Sequence, residues 1–233
     1  MPILSKRSGP LSGLMKRLHA PVYAARLAEL VRQITPHLKP GDRVLDVGCG
    51  FGMLGGAIMN SPLCPKDVHV RGLERVKRGG EPIPVDEYDA VTIPFADRSF
   101  DVVILADVLH HEPDPHRLIA ECARVSRRLL VIKDHKVEGP LAQQRIALLD
   151  WAANGPYGVP CLYRYNKPAE WDRWKQRHAL EVEAELRSLR LYPFPYYLIF
   201  TRKLQYLAVF RVPEITNASA LSEQCGRTPS KPA

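Results

Sequence analysis

Val44-Leu45-Asp46-Val47-Gly48-Cys49-Gly50-Phe51-Gly52-Met53-Leu54-Gly55 is the stretch that decides how this chain folds. An apolar run carries Asp46 near its end, and glycines then alternate at 48, 50 and 52. Such a run reads as a buried strand that turns sharply into a helix. Glycine permits positive φ and lets a ligand approach where a Cβ would collide. The exposed N–H groups opening the next helix form a polar cradle suited to a nucleotide-like cofactor. Gly50, Gly52 and Gly55 also satisfy G-x-G-x-x-G, the dinucleotide fingerprint. Asp46 weighs against that reading. A carboxylate at the strand end can meet a cationic ammonium group but would repel a pyrophosphate.

Outward from this point, the pattern alternates strand and helix. Arg43–Val47 is a strand, Gly52–Met59 a helix, Val68–Leu73 a second strand, and a short strand is expected near Ile83–Val85. Phe100–Ala106 is nearly all apolar, as a parallel strand buried on both faces should be. A helix at Pro115–Val125 and a strand at Leu129–Lys133 follow. Upstream, Val22, Leu27, Leu30, Val31 and Ile34 recur at helical spacing over Pro21–Leu38, preceded by a basic arm at 1–19. Downstream, helices are expected at Leu141–Trp151 and Ala169–His178, with a Gly/Pro/aromatic loop between them. Late strands at Val182–Leu189 and Leu204–Val212 suggest an antiparallel pair at the sheet edge. Residues 213–233 lack periodicity and read as a disordered tail. The expected fold is α/β: a doubly wound, mostly parallel, seven-stranded sheet with an N-terminal helical extension, in one domain over 20–212.

Composition narrows the class. The chain has 233 residues, 45% of them hydrophobic, as expected of a single globular domain. Its five cysteines form no C-x-x-C pair, which argues against a disulfide framework or zinc ribbon and for a reducing, cytoplasmic setting. No apolar run approaches the ~18–20 residues of a membrane span. The net charge is +8, and residues 1–43 hold eight Lys/Arg against two acids. No long basic run or basic–aromatic alternation follows, so nucleic acid is a weaker reading than solvated surface charge. An anionic small substrate is also compatible.

The chain resembles the class I S-adenosylmethionine (SAM) methyltransferases, specifically the small-molecule type. Asp46, Gly48, Gly50 and Gly52 match their first motif, D-x-G-x-G-x-G. Glu74 stands at the end of the second strand, where the resemblance puts the acid that accepts the ribose hydroxyls. Asp89-Ala90 begins a stretch similar to D-A/G-x-x-L-P-F…S-F-D, implying that Asp89 accepts from the adenine amino group beside the Ala90 N–H. The match continues through Asp101…Asp107…His110-His111 and Asp114-Pro115…Glu121…Arg124. It covers about residues 40–133. The implied cofactor is SAM, with Asp46, Gly48, Cys49, Gly50, Gly52, Glu74, Asp89, Ala90 and Asp107 around it.

The acceptor end is less determined. The fourth strand ends in Ala106-Asp107-Val108-Leu109-His110-His111, not in the N/D-P-P-Y/F tetrapeptide of enzymes that methylate exocyclic base amines. Pro160-Cys161 lies in the wrong element for a cytosine-C5 nucleophile. His110 and His111 stand where a substrate mouth should open. His135, after Lys133-Asp134 at the end of the fifth strand, is a candidate general base, with His111 as a second. Trp151, Asn154, Tyr165 and Asn166 lie in a segment whose aromatic and amide side chains suit an amphipathic acceptor pocket. No metal cluster is visible, so no metal is expected. The leading function is methyl transfer from SAM to a small organic acceptor, chiefly at oxygen, by direct in-line attack. Alternatives are an RNA or protein methyltransferase, a non-catalytic SAM-binding protein, and a nicotinamide oxidoreductase.

Overall fold

The computed structural model describes residues 10–154 and 161–212, with side chains from Val22 onward. Helix α1 (Pro10–Ile34) runs into a short 3-10 turn at Thr35–His37. Strand β1 (Arg43–Val47), helix α2 (Met53–Met59), β2 (His69–Glu74), β3 (Val85–Glu87) and β4 (Phe100–Ala106) follow. Then come α3 (Pro115–Val125), β5 (Ser126–His135), α4 (Ala142–Asn154), α5 (Pro168–Arg177), β6 (Glu181–Leu186) and β7 (Gln205–Arg211). The seven strands form one sheet in the order β3-β2-β1-β4-β5-β7-β6. Strands β1 to β5 pair in parallel, whereas β7 runs antiparallel to both β5 and β6.

The doubly wound α/β class and the late antiparallel pairing agree with expectation. The N-terminal helix is longer than its apolar spacing suggested. It begins at Pro10, so residues 10–19 of the expected arm are helical, and only 1–9 of that arm lie outside the described residues. Proline is at ease in the first helical turn, where its missing N–H has no partner to lose. Strand β5 also extends further than the apolar run, because the polar residues 133–135 remain in register with β7. The expected tail at 213–233, and residues 155–160 of the expected loop, are outside the described residues.

Strand alternation divides the core between two faces. Val44, Val102, Ile104, Leu129 and Val131 point to the face covered by α1 and α2, with Leu30, Ile34, Leu54 and Ile58. Leu45, Val47, Val103, Leu105, Leu130 and Ile132 point to the face covered by α3 and α5, with Ile119, Cys122 and Trp171. Both faces being covered explains why the central strands read as unbroken apolar runs. Each fully buried Leu or Ile contributes about 1.5–3 kcal/mol. The strand order reverses between β1 and β4, so a crevice opens at their carboxyl ends.

Candidate active site

The glycine turn is built for two purposes. Gly48, Gly50 and Gly52 all have positive φ, at 69°, 58° and 68°. A Cβ on Gly48 would lie 2.6 Å from Val108 Cγ2, and one on Gly52 would lie 2.8 Å from Ile83 Cγ1. Those two positions need glycine for packing as well as for backbone shape. A Cβ on Gly50 would meet nothing within 4 Å, so the space beside it is open. Gly55, the last glycine of the dinucleotide pattern, lets α2 sit on Val70 and Ile83.

The acids around this turn play different parts. Glu74 Oε2 accepts from the Gly50 N–H at 2.7 Å, which ties the tip of β2 to the turn. Asp46 is 2% exposed, and its Oδ2 is buried without a hydrogen-bond partner. Burial pushes the Asp46 carboxyl up to about 7; Arg26 opposes the shift, and Glu74 adds to it. Cys49 packs against Gly72, and burial, reinforced by Asp46 and Glu74, raises its thiol to about 12, so it is no nucleophile. Asp89 is exposed and caps a turn, its Oδ1 accepting from Val91 N at 2.7 Å and Thr92 N at 3.0 Å. Ala90 in that turn has a φ of 60°.

Asp107, at φ 61° just past β4, is the hub between the two halves of the crevice. It is paired with the buried Lys133 and, at 2.6 Å, with Arg26 from α1. Burial disfavours its charge, yet Lys133 and Arg26 hold its carboxyl well below the usual range. Arg26 carries no motif and is invisible without the fold; only its place on the buried side of α1 hinted at it.

Beyond Asp107, a polar cluster gathers from separate elements. His110 Nδ1 lies 2.6 Å from Asp134 Oδ1, both side chains 3% exposed. Asp150, on α4, accepts from Tyr165 O–H at 2.6 Å and from the Asn154 amide at 2.8 Å. Its Oδ1 is 3.7 Å from His110 Nε2 and 3.5 Å from His111 Nε2. Burial disfavours charge on His110, but Asp134 outweighs it and holds the imidazole pKa up to about 10. The nearby His110 imidazole and the hydrogen bond from Tyr165 overcome burial at Asp150 and keep that carboxyl below its ordinary range. His135 is the opposite case: burial pushes it down to about 3. Its Nε2 is 3.9 Å from Asp107 Oδ1, and its ring centroid is 4.9 Å from that of His110.

The fold thus brings His110, His111, His135, Asn154 and Tyr165 together. Asn166 borders a cavity of about 150 Å³ with His110, His135, Arg164, Trp171 and Trp174. Trp151 is 56% exposed and stands outside the cluster. Asp134 and Asp150, absent from the sequence-based site, are its organising acids. The one available signal for Asp150 was the i,i+4 spacing to Asn154, which puts both on one helix face.

A methyltransferase-domain family model matches residues 45–129. Strands β1 to β4, the glycine turn, Glu74, Asp89 and Asp107 all fall in or beside that span. This chain carries a methyltransferase domain. Among other methyltransferases, it is 36% identical over 115 residues to 27-O-demethylrifamycin SV methyltransferase of Amycolatopsis mediterranei, covering 44% of this chain and 40% of that protein. It is 29% identical to the ubiquinone biosynthesis O-methyltransferase of Xanthomonas axonopodis pv. citri, over 77% of this chain and 78% of that one. The alignment thus spans less than half of the rifamycin relative's length. The methyltransferase fold is shared with a SAM-dependent methyltransferase of Aquifex aeolicus, at TM-score 0.57 and 17% identity, covering 86% of this chain and 98% of that one. It is also shared with the Burkholderia thailandensis 1,6-didemethyltoxoflavin-N1-methyltransferase, at TM-score 0.56 and 16% identity, covering 91% and 94%. Among the described residues, no helix is long and apolar enough to cross a membrane.

Proposed function

We propose that this protein transfers a methyl group from SAM to a hydroxyl oxygen of a small organic acceptor. The observation that carries the reading is the buried, unpartnered Oδ2 of Asp46, near the end of the strand that leads into the glycine turn. A buried carboxylate oxygen without a donor is costly, and an ammonium group would satisfy it. Arg26, within electrostatic reach of Asp46 and Asp107, offers the partner for a carboxylate. This pair of opposite charges suits the amino-acid end of SAM. Glu74 suits the ribose hydroxyls, and Asp89 with Ala90 suits the adenine edge. Bound there, SAM supplies an electrophilic methyl on a sulfonium centre.

The chain's own residues then have to align and desolvate the acceptor. The acceptor enters beside the His110–His111–Asp150 cluster, with Trp171, Trp174, His135 and Asn166 as walls. His135 stays neutral at physiological pH, and with its pKa near 3 it is a weak proton acceptor. Its role in this reading is packing and steering. His111, whose side chain is 16% exposed with Asp150 behind it, is better placed to meet a hydroxyl. Oxygen as the target is supported by the relatives named O-methyltransferases.

Calorimetry with SAM, S-adenosylhomocysteine and NAD tests the cofactor, and labelled-methyl transfer to a panel of hydroxylated acids, quinols and polyketides tests the acceptor. SAM binding together with label on oxygen is expected. Tight NAD binding without SAM binding would overturn the reading.

A further inference from the structure

We infer that His110, His111 and Asp150 form a binding site for one divalent transition-metal ion. The ligand atoms lie within 4.8 Å of one another and include two imidazole nitrogens and one carboxylate oxygen. At metal–ligand bonds of about 2.0–2.1 Å, tetrahedral ligands stand roughly 3.4 Å apart. Asp150 Oδ1 is 3.7 Å from His110 Nε2 and 3.5 Å from His111 Nε2, near that spacing.

Two further observations point to an ion. His110 Nε2 is buried and has no hydrogen-bond partner, although it is aimed at Asp150. The other nitrogen of the same ring is held by Asp134 at 2.6 Å, the carboxylate–histidine support that metal-binding imidazoles ordinarily have, and the ion displaces to solvent the proton that Nε2 otherwise carries. Asp150 is braced in the same manner by Tyr165 on Oδ2 and by Asn154 on Oδ1.

Mixed nitrogen and oxygen donors favour a borderline ion such as zinc, cobalt or iron(II) over magnesium or calcium, which take oxygen shells. Three protein ligands leave a coordination position for the acceptor. An ion there would polarise the acceptor hydroxyl, whose proton passes to water. The oxygen pair then forms the C–O bond, and the S–C pair remains on sulfur as a thioether. This use of the ion rests on the methyl-transfer reading above; its binding does not. The ligands escape sequence inspection because an adjacent histidine pair and an aspartate forty residues on match no metal motif.

The test uses untagged, chelator-stripped protein titrated with Co²⁺ and Zn²⁺, read by the cobalt visible spectrum and by metal content. One tightly held ion per chain, with a four- or five-coordinate cobalt spectrum, is expected. His111→Ala and Asp150→Asn should each abolish one-equivalent binding, and Asp134→Asn should weaken it about 10- to 100-fold. His178→Ala, which breaks the separate His116–His178 contact at 2.9 Å, should leave it unchanged. Retained SAM binding shows that each variant is folded. Absence of one-equivalent binding, its survival in both ligand variants, or its loss in His178→Ala would overturn the site. Stoichiometric binding with chelator-insensitive turnover would overturn the ion's part in transfer. A wild-type chain that takes the ion but not SAM would instead overturn the proposed function.

Discussion

The two ends of the crevice are built in contrasting ways. At the cofactor end, the turn from Gly48 to Gly52 joins adjacent elements, and each acid stands at the tip of its own strand. At the acceptor end, the polar groups come from the turn after β4, the end of β5, helix α4 and the segment before α5. They meet only because the sheet brings those elements together. The first end is a local device and the second a tertiary one, so a single substitution should disturb them differently.

The largest effect expected is at Trp171, which stacks on Tyr206 at 4.3 Å and donates its indole N–H to the His135 carbonyl at 3.3 Å. Trp171→Ala should cost about 3–5 kcal/mol in denaturant unfolding. Below its melting temperature, it should reduce methyl transfer more than SAM affinity. Equal losses in both would show that the two ends are one unit.

Gly48→Ala comes next. Its left-handed backbone costs about 1–2 kcal/mol for any residue with a Cβ. The contact with Val108 adds about 1–3 kcal/mol. Here SAM affinity should fall with stability, as calorimetry would reveal.

Asp46→Asn separates stability from function. The folded carboxyl keeps its proton up to about pH 7, whereas an ordinary one releases it near 3.8. The native state therefore binds more protons than the unfolded state within that window, and this group's contribution to stability declines as pH rises through it. The asparagine should flatten that decline and raise the melting temperature above pH 7, by about 2–4 °C per kcal/mol recovered. It should also weaken SAM binding, and wild-type affinity should itself drop as pH falls below 7. A variant with unchanged affinity at every pH would place the ammonium elsewhere.

Trp151→Ala should have the smallest effect. The side chain is largely exposed and outside the cluster, so stability should move by no more than about 0.5 kcal/mol. Loss of acceptor turnover with intact SAM binding would give it a part at the substrate mouth that the fold alone does not.

The same contrast explains what could be read in advance. Strand periods and the glycine turn are local signals, so β1, α2, β4 and α3 were legible almost to the residue. Asp46, Glu74, Asp89 and Asp107 could be located because each lies within two residues of the carboxyl end of its strand. Asp134 and Asp150 were not, since a carboxylate's partners depend on which chains lie opposite. His135 seemed a natural base at a strand end. Only burial reveals that its imidazole is held neutral. Arg26 was hidden because a surface arginine and one aimed into a crevice look alike in a helical repeat.

Lys133 and Asp134 are neighbours at the end of β5. Lys133 is tied to Asp107 on the donor side, and Asp134 to His110 on the acceptor side. Asp107 and His110 are thus anchored by consecutive residues of one strand. The backbone serves as a ruler, clamped by β4 on one flank and β7 on the other. The sheet thereby holds the spacing between Asp107 and His110.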